Sequence, residues 1–288
     1  MWAILSIISA FCESAKDTFG KISSIKTDEY SSAVWLHLFS VLIMIPVVFF
    51  TGIPKISSQF WYGSFAFLFL TPTWSILYMR ALKLSPLSVT LPMMAFNPIF
   101  TGLLAFIFKG QMPTNFGWIG IVLISIGLYC VNLKNKLTLN NLLHPFQAMF
   151  SDKGAQAMLA VAFIWSLGAY FSKMKVEGSS AIFSTFSSGV IGVATTYVVA
   201  KIMRKNVFRL NFMSNFKSQS LVGVFYFLAT VISSYALVQG SAPYVFSLKR
   251  SSVIFSSLIG KFFFKEQLGL SKYIGLILIF SGMVLIVI

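Results

Sequence analysis

The chain has 288 residues, of which 57% are hydrophobic and only 10% charged, whereas a water-soluble domain carries roughly one-quarter charged residues. That composition excludes a soluble fold. The formal charge of +15 comes from 22 Lys and Arg against 7 Asp and Glu, but most of these basic residues fall between apolar runs. Charges so placed set orientation and meet anionic lipid head groups, so the expected partner is the lipid bilayer and not nucleic acid.

The bilayer core offers no water to backbone N–H and C=O groups, which leaves helices or a closed barrel as spanning structures. Barrel strands alternate apolar and polar residues over ~10 positions. The runs here are long and continuous, so helices are expected. Apolar windows of ~20 residues place them at 2–20, 31–51, 60–80, 86–108, 115–133, 155–172, 180–202, 218–239, 243–264 and 271–288. The fold class is an all-α membrane protein with ten transmembrane helices.

Helix 1 is read as a span and not as a cleaved signal. Its start carries no basic residue, and its apolar run from Trp2 to Phe11 continues into Glu13, Lys16 and Asp17 instead of a small-residue cleavage site. These three fall at i, i+3 and i+4, on one helix face. They read either as an ion-paired interfacial cluster or as the coupling or gating group, where a desolvated carboxylate would exchange a proton. His37 in helix 2 reads as packing or interfacial. Pro72 in helix 3, and Pro92 and Pro98 with Asn97 in helix 4, can break backbone hydrogen bonds and turn carbonyls toward a site.

After helix 5, the hydrophilic stretch 134–154, with Asn140, Asn141, His144 and Pro145, divides the chain. It separates a first repeat, 1–133, from a second, 155–288. Tyr78 to Pro86 matches Tyr235 to Pro243, FKGQMPTNFGWIG at 108–120 matches FFKEQLGLSKYIG at 263–275, and Gly127 falls opposite Gly282. Helix 1 aligns with helix 6, Ser14 on Ser166 and Phe19 on Phe171. Five helices per repeat is an odd number. The halves must therefore run in opposite directions, the inverted-repeat plan of secondary transporters with a site at the midplane.

In helix 9, Lys249 and Arg250 sit six or seven residues past the helix start, roughly 9–10 Å deep at 1.5 Å per residue. A charge near a helix centre costs at least ~2.5–3.5 kcal/mol, which makes the pair a functional candidate unless it snorkels to the interface. Flanked by Ser247, Ser251 and Ser252, two cations with an Arg fork would attract a carboxylate or phosphate. Trp74, Tyr78, Trp165, Tyr170, Tyr235 and Tyr244 are candidate lining residues or interfacial anchors.

These repeated signatures resemble the drug/metabolite transporter superfamily, in its ten-helix EamA group, over nearly the whole chain. The resemblance rests on the Tyr-x-x-Ala-like loop to Pro before helices 4 and 9, and on the turn with an aromatic-Ile-Gly helix start. Gln111 stands where that pattern has Glu, and Glu266 keeps it. Glu13 stands opposite Trp165, where a Trp is common. The Lys249–Arg250 pair is similar to that of the triose-phosphate translocators, where it holds the substrate phosphate, although Met94 occupies the place of a further lysine used there.

What this implies is a multi-pass transporter of the cell (plasma or inner) membrane, moving a small polar, anionic metabolite by alternating access, with a proton or exchanged counter-substrate. The substrate-binding candidates are Lys249, Arg250, Ser247, Tyr244, Asn97, Tyr78, Trp165 and Tyr170; Glu13, Lys16 and Asp17 are the coupling or gating candidates. An exporter of amino acids or amines using Glu13 or Asp17 and the aromatics is the rival reading. An enzyme is not expected, since neither HExxH nor a GxSxG-like turn occurs, and a receptor would need longer soluble loops. No cofactor or metal is expected: Cys12 and Cys130 lie in apolar runs without CxxC spacing, and no ATP-binding loop is present. Basic residues concentrate in the loops after odd helices, with only Lys55, Lys109, Lys173 and Lys175 assigned to the opposite loops. Taken alone, that asymmetry puts both termini outside, while the resemblance implies cytoplasmic termini.

Overall fold

The structure, a computed structural model, describes residues 1–24, 29–85, 87–109, 113–133, 147, 149–204, 216–263, 265 and 269–288. Pro86, Gln111, His144 and Glu266 fall outside them, as do Lys26, Lys134, Lys136, Lys205, Arg209 and nearly all of the dividing stretch. In chain order the helices are α1 (Trp2–Ser24), α2 (Glu29–Thr51), α3 (Ser58–Leu84), α4 (Leu87–Thr90), a 3₁₀ stretch (Leu91–Phe96), α5 (Asn97–Lys109) and α6 (Asn115–Asn132). They continue with α7 (Lys153–Glu177), α8 (Ala181–Ile202), α9 (Phe216–Gln239), α10 (Ala242–Lys249), α11 (Ser252–Phe263) and α12 (Leu270–Val287).

Among the described residues, seven helices are long and apolar enough to cross a membrane: Val34–Thr51, Leu91–Phe108, Asn115–Asn132, Lys153–Glu177, Ala181–Ile202, Phe216–Gln239 and Leu270–Val287. α1 is not among them because Glu13, Lys16 and Asp17 interrupt its apolar run. The stretch after α9 is split into helices of 8 and 12 residues, each too short.

Local chemistry sets several helix ends. Thr114 caps α6 by accepting from Gly117 N at 3.0 Å, and Ser180 caps α8 by accepting from Phe183 N at 3.1 Å. Asp152 accepts from Ala155 N at 2.8 Å at the start of α7 and from Ser85 Oγ at 2.6 Å, tying α7 to the end of α3.

The chain packs into two compact units, each drawing on both sequence halves: residues 1–72 with 171–240, and residues 73–170 with 241–288. In the first, α1 packs on α9 and α2 on α8. Gly189 lies against Val41 and Gly192 against the His37 ring, so α2 and α8 run antiparallel. In the second, α6 packs on α12. A Cβ on Gly120 would meet the Gly282 carbonyl, and one on Gly127 would meet that of Gly275. These backbones touch only because glycine lacks a side chain. The second unit also holds a core of Ala81, Met93, Ala155, Met158 and Val161, with Leu77, Tyr78 and Trp165 packed against it.

Candidate functional site

The second unit has two breaks in its helices. Pro92 suits the first: lacking an N–H, it is tolerated early in the 3₁₀ stretch Leu91–Phe96, and Asn97 N–H donates to Met94 O where α5 begins. At the second, Arg250 N donates to Ser247 O at 3.1 Å, Ser251 N to Leu248 O at 2.9 Å and Ile254 N to Ser251 O at 2.8 Å. This is 3₁₀ bonding with neither Pro nor Gly present. With Pro86 aligned on Pro243, residues 91–96 correspond to 248–253. The breaks therefore occupy equivalent places in the two repeats.

Asn97 and Arg250 meet between these breaks. Arg250 Nη2 donates to Asn97 Oδ1 at 2.6 Å. Asn97 is 2% exposed, and its Nδ2 donates to Ala162 O at 3.0 Å and Ser166 Oγ at 2.8 Å, which leaves its oxygen for the guanidinium. The Arg250 Cζ lies 5.5 Å from the Trp165 ring centroid, a cation–π arrangement. Trp165 in turn stacks on Tyr78, with centroids 6.3 Å apart and 18° between planes, and meets Trp74 edge-on at 5.5 Å. One guanidinium edge and one face are thus fixed by the protein, in a helix break whose following segment, α11, presents the positive end of its dipole.

The other sequence candidates are spread more widely. Lys249 is half-buried beside Arg250 at the end of α10. Ser247 and Ser251 are fully buried, and each has an Oγ with no hydrogen-bond partner among the described residues. Tyr244 reaches the start of α6, where its hydroxyl accepts from Thr114 N at 2.8 Å and its ring covers Gly117. Tyr170 stacks on Phe108 at 4.7 Å.

Glu13, Lys16 and Asp17 belong to the first unit. Lys16 Nζ pairs with Glu13 Oε1 and lies 3.1 Å from Asp17 Oδ1, so the two carboxylates share one cation. His37, read from sequence as packing or interfacial, is buried edge-on to Tyr226 at 5.3 Å, and its Nδ1 has no hydrogen-bond partner among the described residues.

Two lysines assigned to a loop by sequence prove to be helical, because α7 runs on to Glu177 instead of ending at residue 172. Lys173 donates to the carbonyl oxygens of Leu237 and of Gly240, the latter at 3.0 Å, so its cation sits on the C-terminal end of α9. It also lies 3.4 Å from Glu177 Oε1. Lys175 is fully buried. Only their closeness to an apolar run hinted at this, and a window scan stops at the first lysine.

The family model described as "EamA-like transporter family" matches residues 1–133 and 152–288. The chain belongs to the EamA-like transporter family. It is therefore a multi-pass membrane protein that carries small molecules, from a family whose members are not typically enzymes, and it has the two-repeat architecture of that family. One solved structure, described as "Crystal structure of protein", is similar to this EamA-like transporter in fold, with a TM-score of 0.77 and 14% identity over 98% of this chain and 95% of the other. None of the curated proteins matches it.

Proposed function

We propose that this transporter is a secondary active carrier of a small polar anion, a carboxylate or phosphate, working by alternating access through ten spans arranged as two inverted five-helix repeats, 1–133 and 155–288. The ten are the seven apolar helices with α1, α3 and the broken α10–α11 segment. The reading is carried by one observation: Arg250 is held at Nη2 by Asn97 and on its face by Trp165, inside a helix break. A guanidinium so oriented is a planar fork of donors, the shape that matches two oxygens of a carboxylate or phosphate. Lys249, Ser247 and Tyr244 on α10, with Tyr78 and Tyr170, complete the proposed binding set. The discontinuous helices fit the plan in which half-helix ends face an anionic group.

Glu13, Lys16 and Asp17 form the proposed gating cluster, and a proton or an exchanged solute drives the cycle. Because Lys16 already engages both carboxylates, an amine substrate would have to displace it, which makes the rival cation reading the weaker one. The proposed residence is the cell membrane. The test is a thermal-shift screen of the purified protein against phosphates, carboxylates, amino acids and amines, since a ligand that binds only the folded state stabilises it. Anions should raise the melting temperature of wild type and leave Arg250→Gln unmoved. Stabilisation of both proteins by amines alone overturns the anion reading.

A further inference from the structure

Lys175 sits in the last turn of α7, two residues before its end at Glu177. A lysine so near a helix end ordinarily runs its stem to the interface and leaves its ammonium in water. This one does the reverse. Helical side chains lean toward the N-terminus of their own helix, which at this end of α7 points into the span. Lys175 keeps that direction and is the largest fully buried side chain among the described residues. Its Nζ donates to Ser188 Oγ at 2.6 Å, and it lies 4.8 Å from the Phe67 ring centroid and 5.7 Å from that of Phe60. Gly63 on α3 makes room for the stem, since a Cβ there would run into Lys175 Cγ and the Phe171 carbonyl.

Among the described residues this ammonium has no counter-charge. Glu177 pairs with Lys173, and the segments facing Lys175, residues 58–67 of α3 and 181–188 of α8, contain no Asp, Glu, His, Lys or Arg. Their one titratable group, Tyr62, is 65% exposed. Farther along α8, Lys201 lies over the Tyr197 ring at 5.9 Å, and α7 itself adds Tyr170. One hydroxyl therefore serves three ammonium N–H groups, and that hydroxyl's own proton goes to Ser184 O at 2.9 Å. The contrast with Lys16, flanked by two carboxylates, is direct.

A sealed, unpaired cation is retained at a cost, and such groups inside a membrane mark function. Either an anion joins it or its proton leaves. Packing decides between these, because Gly63, Phe60, Phe67 and Ser188 already enclose the side chain; an anion needs space there, whereas a proton needs none.

We propose that Lys175 is a proton-exchange group of the transport cycle. When the packing of α3, α7 and α8 opens, the Nζ proton passes to water on the side that has opened. The amine lone pair then accepts a hydrogen bond from the Ser188 hydroxyl, which turns away from the Ser184 carbonyl. Re-closure seals the site in its new state. The inference rests on the family's transport activity and is independent of the Arg250 anion site.

The test uses the full chain in liposomes containing a pH-sensitive dye, with a panel of small carboxylates, phosphates, amino acids and amines. Wild type should acidify or alkalinise the lumen with any compound it carries. Lys175→Met and Lys175→Arg should still exchange the labelled compound across the bilayer but lose the proton movement. Lys175→Arg keeps the charge and covers the case in which the methionine variant does not fold. Three results overturn the proposal: carriage by wild type without proton movement, undiminished proton movement in either variant, or loss of folding in both, which would make the lysine structural. Absence of exchange with every compound in wild type would instead count against the transport reading.

Discussion

Arg250 is constrained before any ligand arrives, and the residue that constrains it suggests how to probe it. Asn97→Asp would set a carboxylate against the guanidinium where Oδ1 now accepts at 2.6 Å. The second carboxylate oxygen would face the Ala162 carbonyl, to which Nδ2 now donates at 3.0 Å, so the melting temperature should fall, while stabilisation by phosphate or acetate disappears because the Arg250 charge is neutralised internally. Asn97→Ala removes the acceptor and both amide donors from a buried position. It should cost about 1–3 kcal/mol in denaturant or thermal unfolding. Asn97, Arg250 and Trp165 could all be picked out in the sequence as polar or aromatic residues inside apolar windows, but their meeting could not, since Asn97 and Arg250 stand 153 residues apart. Lys175 was missed for a different reason. Composition cannot tell a lysine that snorkels outward from one that leans back along its helix.

Helix breaks and glycines carry the next level of organisation. The 3₁₀ stretch Leu91–Phe96 contains Pro92, whereas its counterpart around Arg250 has no residue that forces a break. That the interruption appears in both repeats marks it as a feature of the tertiary arrangement, for which the proline is an accommodation. This is why the windows 86–108 and 243–264 read as continuous spans in sequence. Glycines divide by what surrounds them. Gly127 lies against the Gly275 carbonyl and Ile279, so Gly127→Ala should destabilise by about 1–3 kcal/mol through overpacking. Gly168, inside α7, has nothing within 4 Å of where a Cβ would stand. Gly168→Ala should raise stability by roughly 0.5–1 kcal/mol from helix propensity alone. If Gly168→Ala nonetheless slows transport, backbone freedom at that point of α7 serves the cycle.

In the whole molecule, the repeat seen as matched strings of sequence becomes a matched pair of surfaces. Gly120 aligns with Gly275 and Gly127 with Gly282, yet Gly120 touches Gly282 and Gly127 touches Gly275. Equivalent helices that exchange contacts in this way run antiparallel about a local two-fold relation. The grouping into compact units was not legible in the same way. Sequence similarity divides the chain near residue 134, whereas packing pairs helices from both halves, α1 with α9, α2 with α8 and α6 with α12, contacts that no local sequence window contains. The central claim, an anion carried through a site anchored by Arg250, is tested most directly by uptake. Labelled forms of the anions that stabilise the wild type should enter liposomes containing wild-type protein, and entry should fall to the level of protein-free liposomes for Arg250→Gln at an unchanged melting temperature. Uptake by Arg250→Gln at the wild-type rate would contradict it.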